Sequence, residues 1–325
     1  MENFINNCGK KVLDGKHLTG EEADKLLSIN NKEYLLLLMH QAHTVRRKYK
    51  GDKTDLCALV NAKSGMCSED CKFCAQSSRY NTECKVYPFM DTEAIVERAR
   101  EAKKIGAGRF CIVTSGGEVS DSEFSSILKA VTIIRNDLNL EMDCSLGHLT
   151  PERMKALKKA GVTRYNHNLE TSPEYFSKIC TTHTFLERVD VINCAKEHNM
   201  ERCCGGIIGM GENSSDRLNL ALKLREMEIE CVPINILNPR PGTPLENTES
   251  IAPMEILKTI AVFRLLLPES TIKVAGGREH NLRSLQPMAL MAGANGIIVN
   301  GYLTTSGNTA SFDFQMLKDL ELENE

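Results

Sequence analysis

Between residues 55 and 301 the chain alternates short apolar runs with stretches of helical period. Strand-like runs fall at 55–61, 109–115, 140–147, 162–170, 200–208, 231–237, 271–275 and 296–301. Helical runs fall between them at 92–105, 122–138, 151–160, 185–198, 216–227, 253–267 and 284–292. In the run at 92–105, Ile95, Ala99 and Ala102 share one face, the spacing of a helix packed on one side. Pro151 stands where a first turn tolerates proline. Strand followed by helix, repeated, calls for a parallel sheet, because parallel neighbours need a crossover connection. About eight such units are enough to close a barrel. The expected fold class is therefore α/β, a (βα)8 TIM-type barrel over 51–310. An N-terminal helical extension (1–50) precedes it and an acidic C-terminal tail (311–325), read as a solvated helix, follows. In the extension, Thr19 and Glu22 have the spacing of a capping box. A second helix over 31–48 aligns Leu35, Leu38, Met39 and Ala42. The basic run at 46–50 suits a solvated helix end, and His40 and His43 read as surface residues.

Composition narrows the partners. A net charge of −3 with 26% charged residues makes no case for nucleic acid. No apolar run reaches membrane-spanning length, and residues 1–8 lack a basic stretch followed by an apolar one. Thirteen cysteines in a chain of 325 residues are too many for chance and too dispersed for a small disulfide scaffold. They read as thiols of a reduced, cytoplasmic metal protein.

Three of them, Cys67, Cys71 and Cys74, sit at C-x3-C-x2-C spacing just after the first strand. Thiolate is soft and anionic and ligates iron–sulfur clusters well. A cubane has four corners, so three cysteines leave one iron open. A structural zinc site asks for four closed ligands, usually as paired C-x2-C arms, and no second arm lies at that distance.

These residues resemble the cluster loop of radical S-adenosylmethionine (SAM) enzymes. The longer run from Asn61 through Cys67, Phe73 and Cys74 to Tyr80 is similar to the biotin synthase family in particular. That resemblance implies a [4Fe–4S] cluster on the three cysteines, with SAM chelated at the open iron. It further implies cleavage of SAM to a 5′-deoxyadenosyl radical and insertion of sulfur into dethiobiotin. By the same likeness, Phe73, the Gly116-Gly117-Glu118 turn, Glu170, Arg188 and Ile207 contact SAM. Asn166, Asn168, Asn235, Thr304 and Thr305 contact dethiobiotin. On an alternating strand Asn166, Asn168 and Glu170 share a face, and polar groups turned into a barrel need partners. Glu170 stands where many members have aspartate. An electron donor such as flavodoxin or ferredoxin and a homodimer are the partners implied.

One part of the pattern departs from the family. Its commonest members hold a [2Fe–2S] cluster inside the barrel on three cysteines and an arginine. Cys111 and Cys203 match two of the ligands. Asp143 falls at the third position with Cys144 beside it, and Lys273 replaces the arginine. A protonated lysine has no lone pair to offer. One residue of shift reverses a side chain's face in a strand, so Cys144 needs a bulge to point inward. Cys204 is an additional thiol. The expectation is an auxiliary cluster of four-iron type on Cys111, Cys203 and one or both of Cys144 and Cys204. Cys8, Cys57, Cys84, Cys180, Cys194 and Cys231 read as ordinary core or surface residues. Two other readings stay open: a related radical SAM enzyme of hydrogenase-maturation or mutase type, and a non-catalytic iron–sulfur or zinc protein.

Overall fold

A computed structural model describes residues 1–324. Its sheet is built from β1 (Lys53–Lys63), β2 (Arg109–Thr114), β3 (Glu141–Ser145), β4 (Val162–Asn166), β5 (Glu201–Cys203), β6 (Gly206–Ile208), β7 (Cys231–Ile236), β8 (Thr271–Val274) and β9 (Gly296–Ile298). All pair in parallel, and β9 returns to pair with β1. β5 and β6 are two halves of one stave, since both pair with β7. Eight staves therefore close the barrel, as the alternation requires.

The expected strand at 200–208 breaks at Cys204-Gly205. A Cβ on Gly205 would lie 2.0 Å from the Pro233 carbonyl oxygen, so only glycine lets the backbones approach so closely. Helices wrap the outside. The helix Pro253–Leu266 is buried on all sides from Ile256 onward, because the extension covers its outer face: α1 (Glu2–Leu13) and α3 (Lys32–Lys50) pack against it and α2 (Gly20–Leu27) closes the layer. A helix apolar all round fits only such an enclosed place. Its buried Arg264 is satisfied by carbonyls of Gly293 (2.8 Å) and Ser270 (2.8 Å) and by Asn295 Oδ1 (2.7 Å). The Thr19–Glu22 capping box at the start of α2 is present. α1 lies within the expected extension, and Ile5, Cys8 and Val12 form its buried face.

The tail is docked along its first half and solvated at its acidic end, where Lys318, Asp319, Glu321, Glu323 and Asn324 are exposed. The helix Ala310–Asp319 buries Asp313, Met316 and Leu317, and Asp313 Oδ2 lies 2.6 Å from Arg278 Nη2. Beyond it β10 (Glu323–Asn324) adds in parallel to the start of β1. Glu325, the last residue of the expected tail, lies outside the described residues. Among the described residues no helix is long and apolar enough to cross a membrane.

Candidate active site

The C-terminal ends of the staves open on a cavity of about 460 Å³, within the range of small-molecule sites. The loop after β1 forms one wall and is folded on itself. The Cys67 N–H donates to the Gln76 carbonyl (3.1 Å), the Ser78 N–H to that of Cys67 (2.8 Å) and the Cys74 N–H to that of Cys71 (2.9 Å). Gln76 Oε1 accepts from Asn61 Nδ2 (2.9 Å) and Ser64 Oγ (3.1 Å), tying the loop to the end of β1. On its far side the Lys72 N–H donates to the Ile179 carbonyl (3.0 Å), and Asp70 Oδ1 accepts from the Thr181 N–H (2.8 Å). Held this way, Cys67, Cys71 and Cys74 all line the cavity with Phe73 between the last two. Burial pushes the Cys74 thiol up to about 11. All three are free thiols on one cavity wall, soft donors of the kind that hold an iron–sulfur cluster; Cys71 Sγ here donates to Cys180 Sγ (3.8 Å).

Around this loop stand the other residues of the mouth. Gly116 and Gly117 line the cavity, whereas Glu118 is exposed and turned away from it. Glu170 lines it at φ +69°, a left-handed conformation costing a non-glycine residue about 1–2 kcal/mol. Two backbone bonds hold it there: its N–H donates to Gly205 O (3.1 Å) and its carbonyl accepts from the Ile207 N–H (2.8 Å). Burial raises the Glu170 pKa, opposed by Arg188, whose Nη1 lies 3.5 Å from Oε1. Arg188 also donates to the Asn168 carbonyl (2.8 Å) and to His183 Nε2 (3.0 Å). Ile207, Thr304 and Thr305 complete the rim.

Deeper in, Asn166 Nδ2 donates to Cys111 Sγ (3.3 Å), while its buried Oδ1 has no partner among the described residues. Asn168 and Asn235 also line the cavity but are partly committed to backbone. Asn168 Oδ1 accepts from the Gly205 N–H (3.1 Å). Asn235 spans the Gly276 N–H (2.9 Å) and the Gly206 carbonyl (3.3 Å). Cys57, Cys111, Cys203 and Lys273 form the inner end of the lining. Cys231 is Cys203's register partner; Cys203 shares its proton with Cys231, which raises the first thiol's pKa and lowers the second's.

Under these thiols lies a floor of charge, one group from each of β1 to β5 and one from β8. Asp55 meets Lys273 Nζ (2.7 Å) and Arg164 Nη1 (3.0 Å). Asp143 meets Arg109 Nη1 (2.8 Å), and Glu201 meets Arg164 Nη2 (2.5 Å). Burial opposes the charge on Asp55, but Lys273, Arg164 and Arg109 together hold its carboxyl far below the usual range. Burial likewise opposes the Lys273 charge, and Asp55 leads the groups that carry its pKa well above normal.

The chain's sequence matches the radical SAM superfamily over residues 63–224 and the biotin and thiamin synthesis associated domain over 233–323. It is 46% identical to the biotin synthase of Clostridium acetobutylicum, over 99% of this chain and all of that one (100%). It is 47% identical to that of Pelotomaculum thermopropionicum, over 98% and 99% of the two chains. The chain belongs to the biotin synthase family. Among solved structures it is similar to methylornithine synthase (TM-score 0.85, 22% identity, covering 98% of this chain and 97% of that one). It is also similar to the FeFe-hydrogenase maturase HydG of Carboxydothermus hydrogenoformans (TM-score 0.84, 19% identity, 99% and 79% covered). These last two likenesses concern the fold alone.

Within this biotin synthase barrel, two of the expected inner thiols are out of place. β2 and β3 run in unbroken register with Cys111 opposite Asp143 and Ile112 opposite Cys144. Asp143 therefore shares the inward face of Cys111, and Cys144 turns outward into the apolar layer under the helices. The irregularity at Met142/Asp143 affects only the pairing of β3 with β4. Cys204 follows inward Cys203 and is likewise packed in the apolar layer. Conversely, Cys57, read as an ordinary core residue, lines the cavity, and Cys231, read likewise, sits against inward Cys203. Period two would have found them: Cys231 lies four residues before inward Asn235, and Cys57 four before Asn61.

Proposed function

We propose that this chain makes biotin from dethiobiotin by radical SAM sulfur insertion, with the reaction confined to the cavity between the cysteine loop and the inner thiols. The observation that carries this reading is Asn166, placed between the two thiol groups. Its amide N–H is spent on Cys111 Sγ at 3.3 Å, and its buried Oδ1 is left without a partner. A buried acceptor without a donor costs about 1–3 kcal/mol, and a ureido N–H supplies that donor.

When bound, a [4Fe–4S] cluster carrying SAM supplies one-electron cleavage of SAM to a 5′-deoxyadenosyl radical. Cys67, Cys71 and Cys74 are the residues that hold it. Glu170, fixed by its two backbone bonds and steadied by Arg188, offers a carboxylate to the ribose. Gly116 and Gly117 bring bare backbone close to the SAM amino group, and Phe73 and Ile207 offer apolar contact. Asn166, Asn168 and Asn235 orient the ureido ring, and Thr304 and Thr305 receive the substrate carboxylate at the rim. The enclosed barrel keeps water from the radical.

For the sulfur source, the inner residues do not fit the three-cysteine-and-arginine set. Asp143 is committed to Arg109 at 2.8 Å and Lys273 to Asp55 at 2.7 Å. The thiols left to hold a four-iron auxiliary cluster are Cys57, Cys111 and Cys203, which line the cavity, with Cys231 hydrogen-bonded to Cys203 behind them. A low-potential donor of flavodoxin or ferredoxin type supplies the electron, and the chain's thirteen free thiols suit a reducing compartment such as the cytoplasm. The family's homodimer is the assembly proposed.

Anaerobic protein incubated with dethiobiotin, SAM and a reductant forms biotin and 5′-deoxyadenosine. Sustained SAM cleavage without any thiolated product would sink the proposal. Mössbauer spectra of reconstituted protein decide the auxiliary type: a [2Fe–2S] doublet beside the first cluster rules out the four-iron set.

A further inference from the structure

We propose that the cluster-free chain holds a single divalent transition-metal ion, zinc or iron(II), between Cys71, Cys180 and His183. This site rests on the reading of Cys71 as a cluster ligand, because the ion and the cluster compete for that one thiol. The three donors lie within 4.8 Å of one another. Cys71 Sγ is 3.8 Å from Cys180 Sγ, and Cys180 Sγ is 3.7 Å from His183 Nε2. A tetrahedral ion with metal–sulfur bonds of about 2.3 Å and metal–nitrogen bonds of about 2.0 Å has ligand-to-ligand edges of about 3.5–3.8 Å. The three donors are thus gathered before any ion arrives; Cys180 Sγ is nearer His183 Nδ1 (3.4 Å), so the ring turns to aim Nε2 at the ion.

The surroundings suit it. His183 Nδ1 lies 2.6 Å from Glu69 Oε2, and Nε2 accepts from Arg188 Nε at 3.0 Å. This pattern fixes the proton on Nδ1 and the lone pair on Nε2, with a carboxylate behind the imidazole, the usual outer arrangement of a metal-bound histidine. The ion replaces one Arg188 N–H at Nε2, and Arg188 keeps the Asn168 carbonyl and Glu170. Asp70 Oδ1, 3.2 Å from Cys180 Sγ, is held by the Thr181 and Thr182 N–H groups, so the fourth position is left to a water molecule. Both sulfurs are buried. Occupied, the site clamps the cysteine loop to residues 179–184, along the seam already made by Asp70 with Thr181 and Lys72 with Ile179. It keeps the loop closed until cluster assembly takes Cys71 away.

The test is anaerobic titration of metal-free, cluster-free protein with Co(II), read by thiolate-to-metal charge transfer and tetrahedral d–d absorption. The titration uses a Cys111→Ala, Cys203→Ala background, which removes the inner thiols as a competing site, and one Co(II) per chain is expected. Cys180→Ser and His183→Gln lose the signal, Glu69→Gln weakens affinity about 10–100-fold, and Cys67→Ser keeps both signal and stoichiometry. Cys180→Ser still reconstitutes the three-cysteine cluster with wild-type absorption, which also shows that the variant folds. The proposal is overturned if Cys180→Ser retains the wild-type Co(II) spectrum, or if Cys67→Ser abolishes it, since the ion then sits among the three loop cysteines. If Cys67→Ser still assembles the cluster, the cluster assignment fails, whatever the Co(II) result.

Discussion

At the mouth of the barrel three cysteines come from eight consecutive residues; the thiols and charges at its inner end are spread over seven strands, one or two to a strand. The mouth is held mainly by bonds within one loop, such as Cys74 to Cys71 and Gln76 to Ser64, with a single distant seam to residues 179–183. The inner end depends on strand register, with Cys111 opposite Asp143 and Cys203 opposite Cys231. Chemistry that must stay constant is thus encoded locally, and chemistry that departs from the family's usual form is encoded by which residue each strand turns inward. Single substitutions can separate the two.

The largest contrast is in products. Cys67→Ala removes a loop thiol, and neither 5′-deoxyadenosine nor biotin forms. Cys111→Ala leaves the loop intact, so 5′-deoxyadenosine still appears while biotin falls below detection. Chromatography of both products on the two variants checks this. Equal loss of SAM cleavage in both variants would merge the two regions into one functional unit.

Next is stability. Asp55→Ala strips Lys273 of its 2.7 Å partner and Arg164 of its 3.0 Å partner. Breaking a buried pair from one side costs about 3–5 kcal/mol, whereas replacing both partners by apolar residues is often close to neutral. Denaturant unfolding of Asp55→Ala is expected to show that loss, and the Asp55→Leu, Lys273→Met pair is expected to regain most of it. A loss under about 1 kcal/mol for the single variant would mean that water or relaxation reaches the floor.

How much of this was legible in the sequence follows the same division. The alternation exposed the barrel because strand and helix periods differ so plainly, and the loop cysteines were adjacent. The orientation of Cys144 was not decidable, since it hung on whether β3 bulges against β2, and a bulge leaves no compulsory residue mark. Cys57 and Cys231 were within reach of the two-residue period, yet each alone looks like any buried cysteine. The docked tail was hidden because the Arg278–Asp313 pair joins residues 35 apart, and the acidic residues around it read as a solvated face.

Smaller again is Asn166→Ala, which crosses between the regions. It removes the unpaired Oδ1 and the donor to Cys111 Sγ. One lost hydrogen bond to a buried substrate group is worth about 1–1.5 kcal/mol, so the dethiobiotin KM is expected to rise roughly tenfold. 5′-Deoxyadenosine formation then becomes less coupled to biotin. Steady-state kinetics with both products quantified distinguish this from a folding defect, which would lower the two together. An unchanged KM would move the ureido contact to Asn168 or Asn235.

The smallest expected effect tests the claim that the mouth stands on local contacts. Thr184 caps the helix Phe185–Glu197, which carries Arg188. Its Oγ1 accepts from the Glu187 N–H (3.2 Å), and its own N–H donates to Glu187 Oε2 (2.6 Å). Thr184→Ala removes the first bond and leaves the second. A cap substitution of this kind costs about 1 kcal/mol, several-fold less than Asp55→Ala. Because the helix is also held by buried Val189 and Ile192, Arg188 keeps its place and SAM cleavage changes little. A thermal melt paired with a 5′-deoxyadenosine assay reads both. If this exposed cap proved as costly as the buried floor, the mouth would depend on the helix end as a cooperative unit, and the contrast between local and register-built regions would fail at its weakest point.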